Sequence, residues 1–158
     1  MSEKIILTVD AGNTHTRMAF WDKAGSLLAQ ENFLSAAIRD RNQEAREKWW
    51  HRIDTLRPAF AAVSCVVPAL RDVLSAWTSE TALSLTFVTH RDVGLSLDIL
   101  HPQLAGIDRL VNCAAAWRKF ADSCLVIDMG TAVTWDVVLA PGIFAGGVIA
   151  PGLEILAE

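Results

Sequence analysis

The chain has 158 residues, of which 52% are hydrophobic and 20% are charged. A chain of this composition can bury a sizeable core, which excludes disordered, collagen-like and low-complexity proteins. The formal net charge is -4 and neither sign of charge forms a long block, so the sequence does not indicate a nucleic-acid partner.

The cysteines and the N-terminal residues bear on the cellular compartment. Cys65, Cys113 and Cys124 are odd in number and form no C-x-x-C pair, which indicates buried, reduced thiols rather than a disulfide framework or a zinc site. The N-terminus leads into a strand-like run without the features of a signal peptide. The apolar stretches are interrupted by proline and glycine and are too short to span a bilayer. We therefore expect a cytoplasmic protein with no membrane partner.

The first half of the chain alternates between strand and helix patterns. The β-branched run at residues 5–9 ends in Asp10 and a glycine-containing turn, which predicts a buried strand followed by a tight turn. Pro58 is expected to close one helix and Pro68 to begin the next. The further predicted elements are strands at residues 15–21, 26–32, 59–67 and 85–89, and helices at residues 42–55 and 68–82.

The second half of the chain begins with an irregular segment at residues 93–106. Apolar residues at helical spacing then predict a helix over 108–120, followed by strands at residues 125–128, 133–139 and 143–149. Pro151 is expected to open another helix. This order of elements indicates an α/β chain whose second half has only begun.

The most informative feature is an internal repeat. Residues 6–14, ILTVDAGNT, are echoed by residues 124–132, CLVIDMGTA. Each copy has an apolar strand, an aspartate, one further residue, a glycine, and then a hydroxyl or amide residue. A single copy is typical of an ordinary β-turn capped by aspartate. Two copies, each directly after a buried strand, favour a shared function instead.

The two repeated turns, around Asp10 and Asp128, have the chemistry of a phosphate and metal site. A carboxylate at the end of a strand suits a hydrated divalent cation, and glycine lets the backbone approach a ligand closely. Backbone N–H groups in such turns, with the side chains of Asn13, Thr14 and Thr131, can bind an anion. A phosphate chain with Mg²⁺ is therefore the predicted ligand. The sequence contains neither a Walker A loop nor a Rossmann fingerprint.

Four motifs occur in the order found in type III pantothenate kinases, and they extend over nearly the whole chain. Residues 10–17 resemble the family's D-x-G-N-[ST]-x-x-[KR] signature, and residues 102–109 resemble P-x-x-x-G-x-D-R. Residues 128–136 are similar to D-x-G-T-A-x-T-x-D, and residues 146–152 to G-G-x-I-x-P-G. Four ordered matches make a specific resemblance.

This resemblance implies an α/β chain with a ribonuclease H-like (actin-like ATPase) fold, of the acetate and sugar kinase superfamily. The implied first domain is complete at residues 1–112, and the second, at residues 113–158, is partial. The implied reaction is ATP-dependent phosphorylation of pantothenate to 4'-phosphopantothenate, the first step of coenzyme A biosynthesis, by a homodimer. The implied cofactors are Mg²⁺ and a monovalent cation, K⁺ or NH₄⁺, with ATP as co-substrate.

The resemblance also assigns roles by position. Asp108 is the implied general base on the pantothenate hydroxyl. The implied ATP and phosphate contacts are Asp10, Gly12, Asn13, Thr14, Arg17, Gly130 and Thr131, and the implied metal contacts are Asp10 and Asp128. The implied substrate contacts are Ile99, Gly106, Ile107, Asp108 and Arg109. From these two residues alone, without the other motifs, a simple ion pair of Arg109 with Asp108 at the start of a helix is the favoured interpretation.

The chain departs from the family pattern in three places. Ile99 stands where the family often has tyrosine, and Arg17 stands where many members have lysine, so its phosphate contacts are expected to be forked rather than point-like. Relatives also continue beyond residue 158. We therefore expect this polypeptide to have an incomplete second domain, an exposed apolar face and little or no kinase activity. The alternatives are a non-catalytic accessory or regulatory relative that binds nucleotide, and another small-molecule kinase or phosphatase of the superfamily.

Overall fold

The computed structural model describes residues 4–152, which form two compact units. The first unit ends at Val88 and the second begins at Thr89. The predicted domain boundary between residues 112 and 113 lies within the helix Ile107–Phe120 of the second unit. The two compact units are not the predicted domains, and the division at residue 112 stays a prediction.

The first unit is a five-stranded sheet with helices packed on one face. Its elements are β1 (Ile6–Ala11), β2 (His15–Trp21), β3 (Leu27–Leu34), α1 (Ser35–Arg39), α2 (Gln43–Leu56), β4 (Phe60–Cys65), α3 (Pro68–Ser79) and β5 (Leu85–Phe87). The strand order is β3-β2-β1-β4-β5. The first three strands are antiparallel, whereas β4 is parallel to β1 and β5 to β4. The helical segments between β3 and β5 provide the crossovers that parallel strands require.

Alternation along the strands directs one face of this sheet toward the helices. On β1, Leu7 and Val9 are buried, whereas Thr8 between them and Asp10 after them are exposed. Trp49 of α2 is fully buried over this face, and its ring lies 6.2 Å from that of Trp77 on α3. The Asn42 side chain accepts a hydrogen bond from Ala45 N–H at 3.0 Å and so caps the start of α2.

The second unit contains a four-stranded sheet and one long helix in its described part. Its elements are β6 (Ser96–Leu97), a 3₁₀ turn (Pro102–Leu104), α4 (Ile107–Phe120), β7 (Cys124–Met129), β8 (Ala132–Leu139) and β9 (Ile143–Pro151). The strand order is β6-β9-β8-β7, with β7, β8 and β9 antiparallel and β6 parallel to β9.

Helix α4 covers only one face of the second sheet. It packs on β7 and β8, where Leu110 and Cys113 are buried together with Val138 of β8. The opposite face carries Ile127 and Leu125, each about half exposed. The exposed apolar face that the sequence predicts is therefore present on this sheet.

Most predicted elements agree with the structure to within two residues at each end, which is the usual scatter of such boundaries. Helix α1 was not predicted, because it has five residues and no side-chain cap. The predicted helix over 68–82 ends at Ser79 instead. There the Thr81 hydroxyl donates to the Thr78 carbonyl oxygen at 2.7 Å and competes with the helical hydrogen-bond pattern.

The expectation for Pro151 is wrong, because this residue is the last of β9 and lies opposite Ala132. Strand β6 pairs only with Ile143 and Phe144, so within residues 4–152 the far half of β9 has no strand partner on that side. A proline is tolerated on such an edge because its missing N–H would have no acceptor there. The helix predicted after Pro151 lies outside the described residues.

The three cysteines are free thiols, but the predicted burial holds only for Cys113, because Cys65 and Cys124 are half-buried. Cys113 is buried, and burial raises the pKa of its thiol to about 12. Burial also raises the pKa of the Cys65 thiol. Across residues 4–152, none of the helices has both the length and the apolar character needed to cross a membrane.

Candidate functional site

The first repeated turn follows β1. Asp10 is the penultimate residue of this strand rather than the residue after it, and it lies opposite Arg17 of β2. Gly12 N–H donates to the His15 carbonyl oxygen at 3.0 Å, and a Cβ added to Gly12 would lie 3.2 Å from that oxygen. The turn is therefore tight at the position where the motif has glycine.

Two buried hydroxyl groups hold this turn from the covered side of the sheet. Ser35 Oγ donates to the Gly12 carbonyl oxygen at 2.7 Å and lies 2.9 Å from Thr16 Oγ1. Ser35 N–H also donates to the Thr14 carbonyl oxygen at 2.9 Å. Sequence reasoning missed both hydroxyl groups. The inward position of Thr16 in the alternating pattern of β2 was the available signal.

The outer side of the first turn is polar. Asn13, Thr14 and Arg17 are exposed, as is the Asp10 carboxylate. Arg17 Nε donates to Asn32 Oδ1 at 3.3 Å, which directs the guanidinium along the edge of β3. One carboxylate, one guanidinium and exposed amide and hydroxyl groups therefore surround this turn, which suits a metal-bound phosphate.

The second repeated turn follows β7 in the same way. Asp128 is again penultimate in its strand, and Gly130 N–H donates to the Ala132 carbonyl oxygen at 3.0 Å. Gly152 N–H donates to the Thr131 carbonyl oxygen at 2.9 Å. A Cβ added to Gly152 would lie 2.2 Å from the Gly130 carbonyl oxygen. The last glycine of the fourth motif is therefore needed so that the end of β9 can pack directly on this turn.

Helix α4 brings the predicted base and the second turn to one side of the second unit. Asp108 is in the first turn of α4, and Asn112 lies one helical turn later on the same face. The Asn112 side-chain amide donates to Asp128 Oδ2 at 3.2 Å. Sequence reasoning did not identify Asn112, although its spacing of four residues from Asp108 was visible.

The backbone at the start of α4 fixes the carboxylate of Asp108. Its Oδ1 accepts a hydrogen bond from Arg109 N–H at 2.8 Å. Gly106 is the N-cap residue, and a Cβ placed there would lie 2.6 Å from Asp108 Oδ1. Gly106 therefore makes room for this carboxylate, and the negative charge suits the N-terminal end of a helix.

Arg109 forms an ion pair with Asp136, the last residue of the third motif, to which the sequence analysis gave no role. Its Nε lies 3.0 Å from Asp136 Oδ2, and its Nη2 lies 2.5 Å from Asp136 Oδ1. Hydrogen bonds to Asp136 raise the pKa of the Arg109 guanidinium. The alternative of a helix-start ion pair with Asp108 is therefore wrong, because the side chain reaches β8 instead.

The remaining predicted substrate residues are half-buried around the start of α4. Ile107 is the first residue of the helix. Ile99 precedes the 3₁₀ turn, and its Cγ2 would lie 3.4 Å from a Cβ added to Gly146 of β9. Ile99 therefore lies next to the glycine pair of the fourth motif, and its predicted contact with substrate stays a prediction.

The carboxylates at the two turns fit Mg²⁺ only together with a phosphate ligand. Residues 4–152 contain no group of three or more His, Cys, Asp and Glu side chains that could hold a metal ion. Mg²⁺ is usually held by one or two carboxylates, water and substrate phosphates, and the exposed Asp10 and Asp128 meet that need. Their convergence on one ligand stays a prediction.

A hollow of about 550 Å³ lies elsewhere in the first unit. It is bordered by the end of α2 and by the segment between α3 and β5. Its wall includes Pro58, and the neighbouring Ala59 N–H donates to the Ile5 carbonyl oxygen at the beginning of β1. None of the predicted site residues lines this hollow, which is at the opposite end of β1 from Asp10.

The fold is shared with two solved proteins. The Ppx/GppA family member from Aquifex aeolicus superposes with a TM-score of 0.58 at 13% identity, covering 99% of this chain and 54% of that one. The ethanolamine utilization protein EutJ from Carboxydothermus hydrogenoformans gives 0.58 at 16% identity, covering 96% and 53%. Such low identities speak for the fold alone. The chain is thus an α/β protein of the ribonuclease H-like (actin-like ATPase) class, and the predicted fold class is confirmed.

The family is given by sequence similarity. The profile of type III pantothenate kinases matches residues 6–158. The type III pantothenate kinase of Rhizorhabdus wittichii is 34% identical over 160 residues, which cover 96% of this chain and 60% of that protein. That of Desulfatibacillum aliphaticivorans is 30% identical over 165 residues, covering 98% and 62%. The chain belongs to the type III pantothenate kinase family and spans about three fifths of the length of these relatives.

Proposed function

We propose that this chain supplies the phosphate-binding turns and the general base of an enzyme that transfers the γ-phosphoryl group of ATP to pantothenate. The product is 4'-phosphopantothenate, at the first step of coenzyme A biosynthesis. The single observation that carries the proposal is the arrangement on α4. Asp108 lies in the first turn of this helix, and Asn112, one turn later, contacts the carboxylate of the second repeated turn.

Asp108 is the proposed base. Of the two carboxylate oxygens of Asp108, only Oδ1 accepts a hydrogen bond from a group within residues 4–152, namely Arg109 N–H. This leaves Oδ2 for the acceptor hydroxyl. The hydroxyl oxygen attacks the γ-phosphorus while its proton moves to Asp108. The bond from the γ-phosphorus to the bridging oxygen breaks, and ADP leaves with that electron pair.

The two repeated turns are the proposed holders of the polyphosphate. Backbone N–H groups near Gly12 and Gly130 and the hydroxyl of Thr131 donate to phosphate oxygens, while Arg17 offers a forked cation. When bound with ATP, Mg²⁺ supplies positive charge that offsets the repulsion between the phosphate oxygens and the carboxylates. Asp10 and Asp128 are its proposed protein contacts, directly or through water.

Three finer parts of the proposal are supported by the family resemblance. They are a homodimer, a monovalent cation (K⁺ or NH₄⁺) near the second turn, and a cytoplasmic location. Ile99 replaces the tyrosine found in many relatives, so the substrate pocket is expected to be more apolar at that point.

The test compares Asp108→Asn with Asp122→Asn, which changes an exposed aspartate after the end of α4. Both substitutions are made in the product of the whole reading frame, and the 158-residue chain is assayed beside it. Pantothenate-dependent ADP release and ATP binding are measured. We expect Asp108→Asn to lower kcat about 10²- to 10⁴-fold while ATP affinity changes little, and Asp122→Asn to match the parent.

The outcomes separate the candidate functions. ATP binding without turnover in the parent protein would support the non-catalytic accessory role and contradict the enzyme. Turnover with another hydroxyl compound, but not with pantothenate, would point to a different small-molecule kinase. Full turnover in Asp108→Asn would show that another group accepts the proton.

A further inference from the structure

We propose that Asp136 is a positioning residue for the kinase reaction: it holds the Arg109 guanidinium in one orientation beside the catalytic base, and Gly147 leaves the space for this pair. This inference rests on the proposed function and adds two residues that the motifs alone do not explain.

Arg109 and Asp136 form a forked pair. Two nitrogens of one guanidinium edge, Nε and Nη2, donate to the two carboxylate oxygens of Asp136. A forked pair of this kind fixes the plane of the guanidinium as well as its distance. Asp136 is 1% exposed and the Arg109 side chain 15%, so water does not compete strongly for these bonds.

The pair of Arg109 and Asp136 packs closely against the backbone of Gly147. A Cβ added to Gly147 would lie 2.3 Å from Asp136 Oδ1, 2.9 Å from Arg109 Nη2 and 2.2 Å from the Trp135 carbonyl oxygen. Gly147 lies opposite Asp136 in the pairing of β8 with β9. A side chain at this position would therefore displace the ion pair as well as the strand.

The Arg109 guanidinium contacts Asp136 with only two of its three nitrogens. Among residues 4–152, the guanidinium hydrogen bonds run through Nε and Nη2, so the Nη1 group remains available to a ligand. The backbone N–H of the same residue contacts the Asp108 carboxylate at 2.8 Å. Arg109 thus contacts the base through its backbone and the buried carboxylate of Asp136 through its side chain.

The pair of Arg109 and Asp136 is expected to add little to folding stability. A buried ion pair is a weak source of folding stability, because desolvation of both charges offsets most of their attraction. Removing one partner is nevertheless costly, because the other charge is left buried. The presence of such a pair on the residue after Asp108 is therefore better explained by orientation of Arg109 than by a gain in stability.

The experiment measures steady-state kinetics of the whole reading-frame product with Asp136→Asn and Asp136→Glu. Asparagine keeps the shape but loses the charge, and glutamate keeps the charge but moves it by one methylene. We expect the KM for pantothenate to rise about 10- to 100-fold in both, while the KM for ATP stays within about threefold of the parent. Calorimetric titration with pantothenate provides a second readout that does not need turnover.

The matched control is Glu31→Gln in the first unit, which also removes a buried, ion-paired carboxylate from the covered face of a sheet. It should lower the unfolding temperature without changing either KM. If Asp136→Asn behaves like Glu31→Gln, Asp136 has a structural role only and the inference is overturned. If Asp136→Asn does not fold, Asp136→Glu decides by the same criterion.

Failure of the proposed function has a different signature. A parent protein that neither phosphorylates nor binds pantothenate would overturn the proposed function, and the role of Asp136 with it. A parent protein that phosphorylates pantothenate, with KM values unchanged in both Asp136 variants, would overturn this inference alone.

Discussion

The sheets of the two units differ in the face that their helices leave open. In the first unit the middle of this face is polar, with Thr8, Asp10, Arg17, Gln30 and Asn32 pointing outward, whereas the exposed apolar side chains Leu28, Leu34 and Phe60 lie on the edge strand β3 and at the start of β4. In the second unit the open face is apolar, with Leu125, Ile127, Met129, Val137 and Leu139 exposed. A polar face is stable in water as it stands, whereas a contiguous apolar face is typical of a surface that another element covers. The open faces of the two units therefore differ in how well each suits direct contact with water.

The same comparison applies to the two repeated turns. The first turn is held by Ser35, whose buried hydroxyl donates to the Gly12 carbonyl oxygen and whose backbone N–H donates to the Thr14 carbonyl oxygen. The second is held by backbone contact, because Gly152 packs on Gly130 and Thr131. A repeated sequence motif thus forms a turn in two environments by different means, and the hydrogen bond from its glycine spans three residues in the first turn and two in the second.

The largest expected effect compares one leucine from each sheet. Leu7 is fully buried on β1, whereas Leu125 on β7 is 56% exposed. We expect Leu7→Ala to lower the free energy of unfolding by about 2 to 5 kcal/mol, because it leaves a cavity in the core. Leu125→Ala should change it by less than about 0.5 kcal/mol. Urea unfolding of both variants measures the difference, and equal losses would mean that the face of the second sheet is covered in solution.

A smaller effect is expected from the hydroxyl group that holds the first turn. Ser35→Ala leaves the Gly12 carbonyl oxygen and the Thr16 hydroxyl without their buried partner, which should cost about 1 to 3 kcal/mol. Ser96→Ala, at an exposed serine of β6, is the control and should be nearly neutral. The midpoint of urea unfolding measures both. A neutral Ser35→Ala would show that water replaces the hydroxyl and that the turn is not held from the covered side.

A pH-dependent effect is expected from the buried carboxylate of the first sheet. Burial pushes the pKa of Glu31 upward, but hydrogen bonds and positive charge from Lys48 and Arg52 outweigh it and leave the pKa below the ordinary value of 4.5. Because the pKa is lower in the folded chain, the contribution of Glu31 is present above pH 4.5 and is lost as the pH falls through the folded pKa. We expect Glu31→Gln to be less stable than the parent at neutral pH, with a difference that shrinks below pH 4.5.

The measurement is urea unfolding at neutral pH and at a pH below the ordinary glutamate value. Glu80→Gln, at an exposed glutamate that follows α3, is the control and should show no such change with pH. A Glu31→Gln deficit of the same size at both pH values would mean that its charge contributes nothing and that only packing was lost.

Local patterns predicted the parts of the fold that depend on local chemistry. The strand, aspartate and glycine order placed both repeated turns correctly, because a buried strand and a tight turn are each encoded by adjacent residues. Helix α4 was equally predictable from its apolar spacing. Helix α1 was missed because its five residues depend on packing against β3 and α3 rather than on caps.

Contacts between distant residues explain what the sequence did not give of the candidate site. Arg109 and Asp136 are separated by 27 positions, and nothing beside Arg109 indicates its partner. The available signal was a charged residue that shares the inward face of β8 with Val138. Such a residue needs a buried partner, but the strand pattern does not say which.

The smallest change in stability is expected from one lysine substitution on the open face of each sheet. These two substitutions also test most directly whether the two open faces differ. Ile127→Lys places a charge on the apolar face of the second sheet, and Thr86→Lys places a charge at the exposed position of β5 in the first sheet. Each should change the free energy of unfolding by less than about 0.5 kcal/mol. Only Ile127→Lys should reduce self-association and the fluorescence of a hydrophobic dye, because only it interrupts an apolar patch at a sheet edge. Sedimentation measures the association. If both lysines reduce it equally, general charge repulsion governs association, and the contrast between the two faces has no consequence in solution.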